Sequence, residues 1–374
     1  MFSGVLPAGY DKEFYPTIFM KFDTTNYTPV NAMRLLGLDR MRRMRKASSA
    51  GWEGLISPHF ITRVVQTLYQ VGFIDALKDN ASIDALNFAQ QHQLNGPLLV
   101  GLCDALFERG LLTKDETRYS LDAKGKFLVE TDLVKGWFDL VYGYESILNQ
   151  MEPLLRNQVT YGRDIARDGR HVAVGSGLAS MDFYFPIVSS FLQRGGFRKV
   201  LDIGCGDGTF LNYVCDRIPG VQGVGIDLSP AAVEAGNEQL AAKGLQDRIK
   251  LYVGNALDIG KLKRELEGVD AAATFFVLHE LCDLKDNPRA VQFLSEFRRT
   301  LPGAPIHVCE TIRPAPEELR RRPGMAIEYF LFHDLSLQKP IGREAWKKAF
   351  SDAGFESLKE DYIAFARSAI FTAR

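Results

Sequence analysis

Apolar positions follow two different periods along the chain. Between about residues 55 and 190 they recur at helical spacing. Val64, Leu68, Val71 and Leu77 trace one stripe, and Leu98, Leu99, Leu102 and Leu106 trace another that stops at Gly110. Between them, Ser82 ahead of Ala85, Leu86 and Ala89 predicts a short capped helix. A hairpin follows in LLTKDETRYSLDAKGKFLV, where a polar turn from Lys114 to Thr117 separates two apolar runs. After Gly195 and Gly196 the pattern changes to short β-rich runs alternating with helical stretches. Strands are predicted at 199–203, 222–227, 249–253, 270–277, 306–310, 362–366 and 369–372. This order predicts a doubly wound α/β sheet, with ligands bound outside the carboxyl ends of its strands. The expected division is an N-terminal extension at 1–54, a helical winged-helix-like domain at 55–190 and an α/β domain at 191–374.

Composition narrows the possibilities. The 374 residues are 46% hydrophobic, enough to fill the cores of about two domains. With 45 Lys+Arg against 46 Asp+Glu, the chain has no global attraction for nucleic acid or acidic membranes, so neither is expected as a partner; any such binding would have to come from a local patch. One basic cluster stands out, Arg40, Arg42, Arg43, Arg45 and Lys46, and reads as the solvated face of a short helix. The five cysteines are scattered, with none in a C-x-x-C pair, which fits a reducing compartment and predicts neither a disulfide nor a zinc knuckle. There is no basic leader ahead of an apolar stretch and no run of 18 uncharged apolar residues, so a cytoplasmic protein is expected. The helices followed by a hairpin have the winged-helix order, which can read DNA. The third helix, however, carries Cys103, Asp104 and Glu108 with only Arg109 as a cation, so homodimer contacts or a substrate cover fit it better.

The strongest local signal is VLDIGCGDGTFL at residues 200–211. A strand ends at Asp202, then Gly204, Gly206 and Gly208 follow at alternate positions, where a bulky ligand can lie against bare backbone. A second strand ends in GVGIDLS, with Asp227 able to accept both hydroxyls of a ribose. The G-x-G-x-G spacing, flanked by Asp202 and Asp207, suits a ligand without phosphates better than a dinucleotide. Here the sequence resembles the class I S-adenosylmethionine-dependent methyltransferases. The resemblance implies a cofactor site made of Asp202, Gly204, Gly206, Gly208, Asp227, Leu228, Asn255 and Ala256, with the last two against adenine. The family often has Asp where Asn255 stands.

The fourth and fifth strands end in FFVLHELCD and VCETIRPAPEE, which set His279, Glu280 and Glu310 at the sheet's carboxyl edge. A later insert, MAIEYFLFHDLSLQKPIGREAW, supplies Glu328, His333, Asp334 and Glu344. Two resemblances bear on these residues. The caffeate-type O-methyltransferases imply His279 as the base for a hydroxyl, steered by Glu310 and Glu344. The α-keto acid C-methyltransferases acting on phenylpyruvate or 2-ketoarginine imply His279 and His333 as ligands of iron or zinc. Open coordination positions would let a keto acid chelate through its carboxylate and carbonyl, acidifying the β-carbon. One departure concerns the substrate-gripping arginine of the phenylpyruvate enzymes: VAVGSGLASMDFYFP has Gly177 and Ser180 in that stretch, with Arg163, Arg167 and Arg170 nearby. The aromatics Phe183, Tyr184, Phe185, Tyr329, Phe330 and Phe332 read as core. The favoured expectation is a homodimeric enzyme that C-methylates an α-keto acid, a small molecule. The alternatives are a metal-independent O-methyltransferase and a winged-helix regulator that senses S-adenosylmethionine.

Overall fold

The computed structural model describes residues 36–282, 288–322, 324 and 326–374. The first 35 residues of the expected N-terminal extension therefore lie outside the described residues. Two compact units are present, one ending at Lys126 and the other spanning Phe127–Arg374.

The first unit contains helices Leu38–Ser49, Glu53–Gln70, Phe73–Asp79, Ala85–Gln91 and Gly96–Glu108, with a small antiparallel sheet of β1 (Ile83–Asp84), β2 (Leu112–Asp115) and β3 (Arg118–Leu121) in the order β1-β3-β2. The stripe expected to run from Val64 to Leu77 is broken in two at Gly72, whose φ of 75° turns the chain. The cap of the next helix is Asp84 rather than Ser82: its carboxylate accepts from the Asn87 amide at 2.8 Å and from the Thr117 hydroxyl at 2.8 Å, joining cap to hairpin. Asp104 accepts from the Tyr119 hydroxyl at 2.6 Å and from Lys114, so this acidic residue of the third expected helix anchors the hairpin.

The second unit is built on a seven-stranded mixed sheet. Its strands are β4 (Lys199–Ile203), β5 (Gln222–Asp227), β6 (Ile249–Val253), β7 (Ala271–Phe275), β8 (Ile306–Thr311), β9 (Leu358–Ile363) and β10 (Ser368–Ala373), in the order β6-β5-β4-β7-β8-β10-β9. The first five are parallel, and β10 runs antiparallel between β8 and β9. Buried aliphatics on the two faces, such as Leu201, Ile203, Val224 and Ile226 on one and Val200, Ala271 and Ala273 on the other, pack against the flanking helices. The sheet reverses its order between β4 and β7, which opens the crevice where ligands of such folds bind.

Three sequence expectations are corrected. The strand expected at 362–366 runs over Leu358–Ile363 instead, because the turn to β10 occupies residues 364–367 and ends on Arg367 at φ 46°. Strand β7 stops at Phe275 because Phe276 takes φ 57°. The boundary expected at residue 190 falls inside the second unit. Helices Asp132–Gly143 and Gly169–Met181 are joined through glycines: a Cβ at Gly136 would lie 2.6 Å from the Ala179 nitrogen, and one at Gly175 would lie 2.5 Å from that of Leu140. Helix Gly169–Met181 in turn packs on helices Thr209–Arg217 and Pro230–Ala242, which flank the sheet. All five cysteines are free and buried. Among the described residues no single helix is long and apolar enough to cross a membrane.

Candidate active site

The glycine-rich turn links β4 to helix Thr209–Arg217. Gly204, Gly206 and Gly208 all have positive φ, at 74°, 55° and 79°, a conformation costly for other residues. Gly204 is also packed tightly, since a Cβ there would sit 2.4 Å from Val277 on the neighbouring strand's exit. A Cβ on Gly206 would meet only Ala173 at 3.6 Å, so its backbone borders open space. Asp227 braces this turn, accepting from the Gly206 amide at 2.9 Å and from the Ser229 amide at 2.8 Å. Each carboxylate oxygen retains a lone pair for a further donor. Asp207 is used locally, capping the following helix through the Thr209 amide and hydroxyl.

Asp202 is different. It is 2% exposed and lies near Asp227 and Asp207. Burial, followed by those two carboxylates, raises its pKa well above the ordinary carboxylate value. Three carboxylates around bare backbone, one of them buried, fit a ligand carrying positive charge. On the rim, Leu228 is 68% exposed although apolar. Asn255 accepts from the Leu257 amide at 2.9 Å, capping the 3₁₀ turn Ala256–Leu262 and leaving its amide nitrogen for another partner.

Across the crevice the chain leaves β7 through Phe276 and enters the 3₁₀ turn Leu278–Leu281. The fully buried Glu310 on β8 organises this turn. Its Oε1 accepts from the Leu278 and His279 amides at 2.7 and 3.2 Å, and its Oε2 faces the His279 Nδ1 at 2.7 Å. Because the partner is a carboxyl oxygen, Nδ1 is the nitrogen engaged with Glu310, and Nε2 is turned away from it. His333, on helix Ala326–Leu335, repeats the arrangement, with Nδ1 2.6 Å from the Tyr329 carbonyl. The two rings lie 4.6 Å apart between centroids. Burial first, then the neighbouring His279, pushes the His333 pKa well below its ordinary value, so the ring is neutral. The donor set is thus two imidazoles with both Nδ1 atoms held by protein acceptors, an arrangement that suits metal ligation through the other ring nitrogen. Among the described residues no group of three or more His, Cys, Asp or Glu side chains is placed to hold a metal ion.

Glu344 does not join this cluster: its side chain is 84% exposed and bonded to Lys347, at the start of helix Arg343–Asp352. The expected pair of steering glutamates reduces to Glu310. Of the three arginines considered, Arg163 pairs with Asp164 and Arg170 is exposed. Arg167 donates to the Tyr144 hydroxyl at 3.0 Å and to Glu280 at 2.5 Å, beside His279 in the chain. Its other N–H groups have no partner among the described residues. Phe185, Phe330 and Phe332 are core, as the pattern indicates. Tyr329 is not simply core, since its ring stands 4.4 Å from that of His333 and 6.3 Å from that of His279. Tyr144 and Arg167 carry no sequence signal of their own, because their place depends on the segment 127–190 folding into the second unit.

Residues 201–303 match a protein family described as a methyltransferase domain. The chain is 30% identical over 228 residues to 2-ketoarginine methyltransferase of Streptomyces arginensis, spanning 58% of this chain and 63% of that protein. It is 26% identical over 274 residues to indolepyruvate C-methyltransferase of Streptomyces griseus, spanning 72% and 78% of the two. Among solved structures, human N-acetylserotonin methyltransferase in complex with S-adenosylmethionine has the same fold, with a TM-score of 0.65 at 16% identity over 87% of this chain and 97% of that one. Sheet order and glycine crevice are those of a class I methyltransferase. Residues 201–303 are thus a methyltransferase domain, and the relatives named here support S-adenosylmethionine-dependent methyl transfer to a small molecule.

Proposed function

We propose that the enzyme methylates the β-carbon of an α-keto acid with the help of iron or zinc. The observation that carries this reading is the His279–His333 pair, two imidazoles 4.6 Å apart, each with Nδ1 bound to a protein acceptor. Similarity to a 2-ketoarginine and an indolepyruvate methyltransferase supports the substrate class. S-adenosylmethionine would supply a methyl group on a sulfonium, and a metal held by His279 and His333 would supply Lewis acidity toward a carbonyl and carboxylate.

The chain's own groups have separate tasks. Asp202, Asp227, Leu228, Asn255, Ala256 and the backbone of Gly204, Gly206 and Gly208 bind the donor, with Asp202 countering its positive charge. Glu310 fixes the tautomer and ring orientation of His279, and the Tyr329 carbonyl does so for His333. The free N–H groups of Arg167 bind the substrate's carboxylate. Holding carbon and sulfonium in line at near-contact distance supplies much of the rate.

A second reading, O-methylation with His279 as base, is supported by the same 2.7 Å His279–Glu310 contact, which would stabilise an imidazolium. Metal analysis of protein purified without a histidine tag separates the two. The keto acid reading expects near-stoichiometric iron or zinc, lost in His333→Ala, with S-adenosylhomocysteine released when keto acids are supplied. A metal-free enzyme, fully active on phenols in the presence of chelator, would overturn it.

A further inference from the structure

Tyr329 precedes His333 by one helical turn, and its carbonyl holds the His333 ring, but its hydroxyl has no part in that contact. Its ring stands 4.4 Å from that of His333 and 6.3 Å from that of His279, with Trp137 edge-on at 6.1 Å. Among these rings the side chain is still only half-buried, unlike Phe330 and Phe332 on the same helix, which are core. The hydroxyl end lies within electrostatic reach of Glu310 on β8, Tyr144 at the end of helix Asp132–Gly143, Glu280 in the turn Leu278–Leu281 and Tyr184 on helix Tyr184–Gly195. Groups from separate elements converge on it, which sets the hydroxyl inside the site. Each of those neighbours is already engaged. Glu310 meets the Leu278, His279 and Thr311 amides and the His279 ring, which occupy both its oxygens. Arg167 donates to both the Tyr144 hydroxyl and Glu280, and the Tyr184 hydroxyl is shared with Ser368. The Tyr329 proton is thus left for a ligand. Burial first, then the Glu310 carboxylate, raises its pKa well above the ordinary tyrosine value, so the proton stays in place at neutral pH. Such a hydroxyl serves as a donor and not as a base.

We propose that Tyr329 is a catalytic residue whose hydroxyl donates a hydrogen bond to the acceptor's α-oxygen as that oxygen gains negative charge. This role rests on the keto acid reading. There the β-carbon loses a proton to solvent, the pair left behind moves into the bond to the α-carbon, and the carbonyl's π pair moves onto oxygen. The enolate then returns those electrons: the carbonyl re-forms, the β-carbon bonds to the methyl, and the methyl–sulfur pair stays on sulfur. Tyr329 keeps its own proton throughout. A donor already in place before the charge appears needs no reorganisation when it does, so the bond acts on rate more than on affinity.

The test is Tyr329→Phe, which keeps the ring and the carbonyl that holds His333 and removes the hydroxyl alone. With phenylpyruvate, indolepyruvate and 2-ketoarginine as acceptors, kcat should fall by about 100-fold while KM changes by less than about threefold. Exchange of the β-hydrogens for deuterium, followed by NMR with S-adenosylhomocysteine in place of the donor, should slow by a similar factor, since it needs the enolate but no methyl group. The affinity for S-adenosylhomocysteine and the Tm should stay as in the native protein. Unchanged kcat or unchanged exchange, in a native enzyme that turns these acids over, would overturn the role of Tyr329 and leave the keto acid reading standing. So would a Tm and an S-adenosylhomocysteine affinity that fall together with kcat, which would make the hydroxyl a structural group. A native enzyme inert toward these acids in both assays yet active on a phenol would remove the reading itself, and the role of Tyr329 with it.

Discussion

Glu310 holds His279 at two levels, through the residue's backbone amide and through its ring nitrogen. One buried carboxylate therefore sets both the turn that delivers the imidazole and the tautomer it presents. Glu310→Gln offers at most one acceptor oxygen where two are used. It should lower kcat by about 10- to 100-fold while leaving the donor's Kd, measured calorimetrically, nearly unchanged. Stability should fall by about 1–3 kcal/mol, read from chemical denaturation, because buried amides lose an acceptor.

Asp202 should oppose folding and favour donor binding. A carboxyl whose folded pKa is raised gives stability that is complete below its unfolded value of 3.8 and is lost as pH rises through the folded value. At neutral pH, Asp202→Asn is expected to raise the Tm of the ligand-free protein and weaken S-adenosylmethionine binding by about tenfold, 1.4 kcal/mol. In the native protein, binding should release protons, because a cation nearby favours the charged carboxylate. Calorimetry in buffers of different ionisation enthalpy measures the release, and the Asn variant should lack it.

His307 makes the opposite contribution with pH. Its ring is buried on β8 with Nδ1 3.0 Å from the Thr372 hydroxyl and Nε2 unpartnered, and burial, with Lys359 adding to it, lowers its pKa from 6.5 to about 4. The unfolded chain takes up the proton first as pH falls. Stability should therefore decline between pH 6.5 and 4, by up to about 3 kcal/mol from this group, and level off below. His307→Gln should flatten that part of the curve in urea titrations made at a series of pH values.

Gly204 and Gly206 should separate folding from binding. Gly204→Ala must accommodate both positive φ and the 2.4 Å approach to Val277, and is expected to lose about 1–3 kcal/mol of stability. Gly206→Ala meets no such contact, so it should fold at a cost of about 1 kcal/mol yet bind S-adenosylhomocysteine at least tenfold more weakly. Thermal unfolding with and without S-adenosylhomocysteine distinguishes the two. Equal loss of ligand stabilisation and of intrinsic stability in both variants would contradict this division.

The parallel half of the sheet was legible in the sequence because its strands are short, apolar and set apart by glycine-rich exits. The ends of β4, β5 and β6 coincide with the predicted ones. The end of β7 was not, because nothing in FFVLHELCD marks Phe276 for a left-handed conformation. Strand ends and the insert point to His279, Glu310 and His333, and the structure sets these three side by side. Glu344 lies apart from them, in a stretch with no local pattern to check the resemblance against. Arg167 and Tyr144 lie in a stretch that reads as ordinary helix, and the close packing at Gly136 and Gly175 that helps hold this stretch in the second unit has no sequence signature.

Because β10 is the last strand in the chain yet is inserted between β8 and β9, the strand bearing Glu310 waits for residues 368–373 before it gains its second neighbour. On the ribosome, the strands β4 to β7 can pair early, but β8 keeps one open edge, at Ile306–Thr311, until residues 368–373 have emerged.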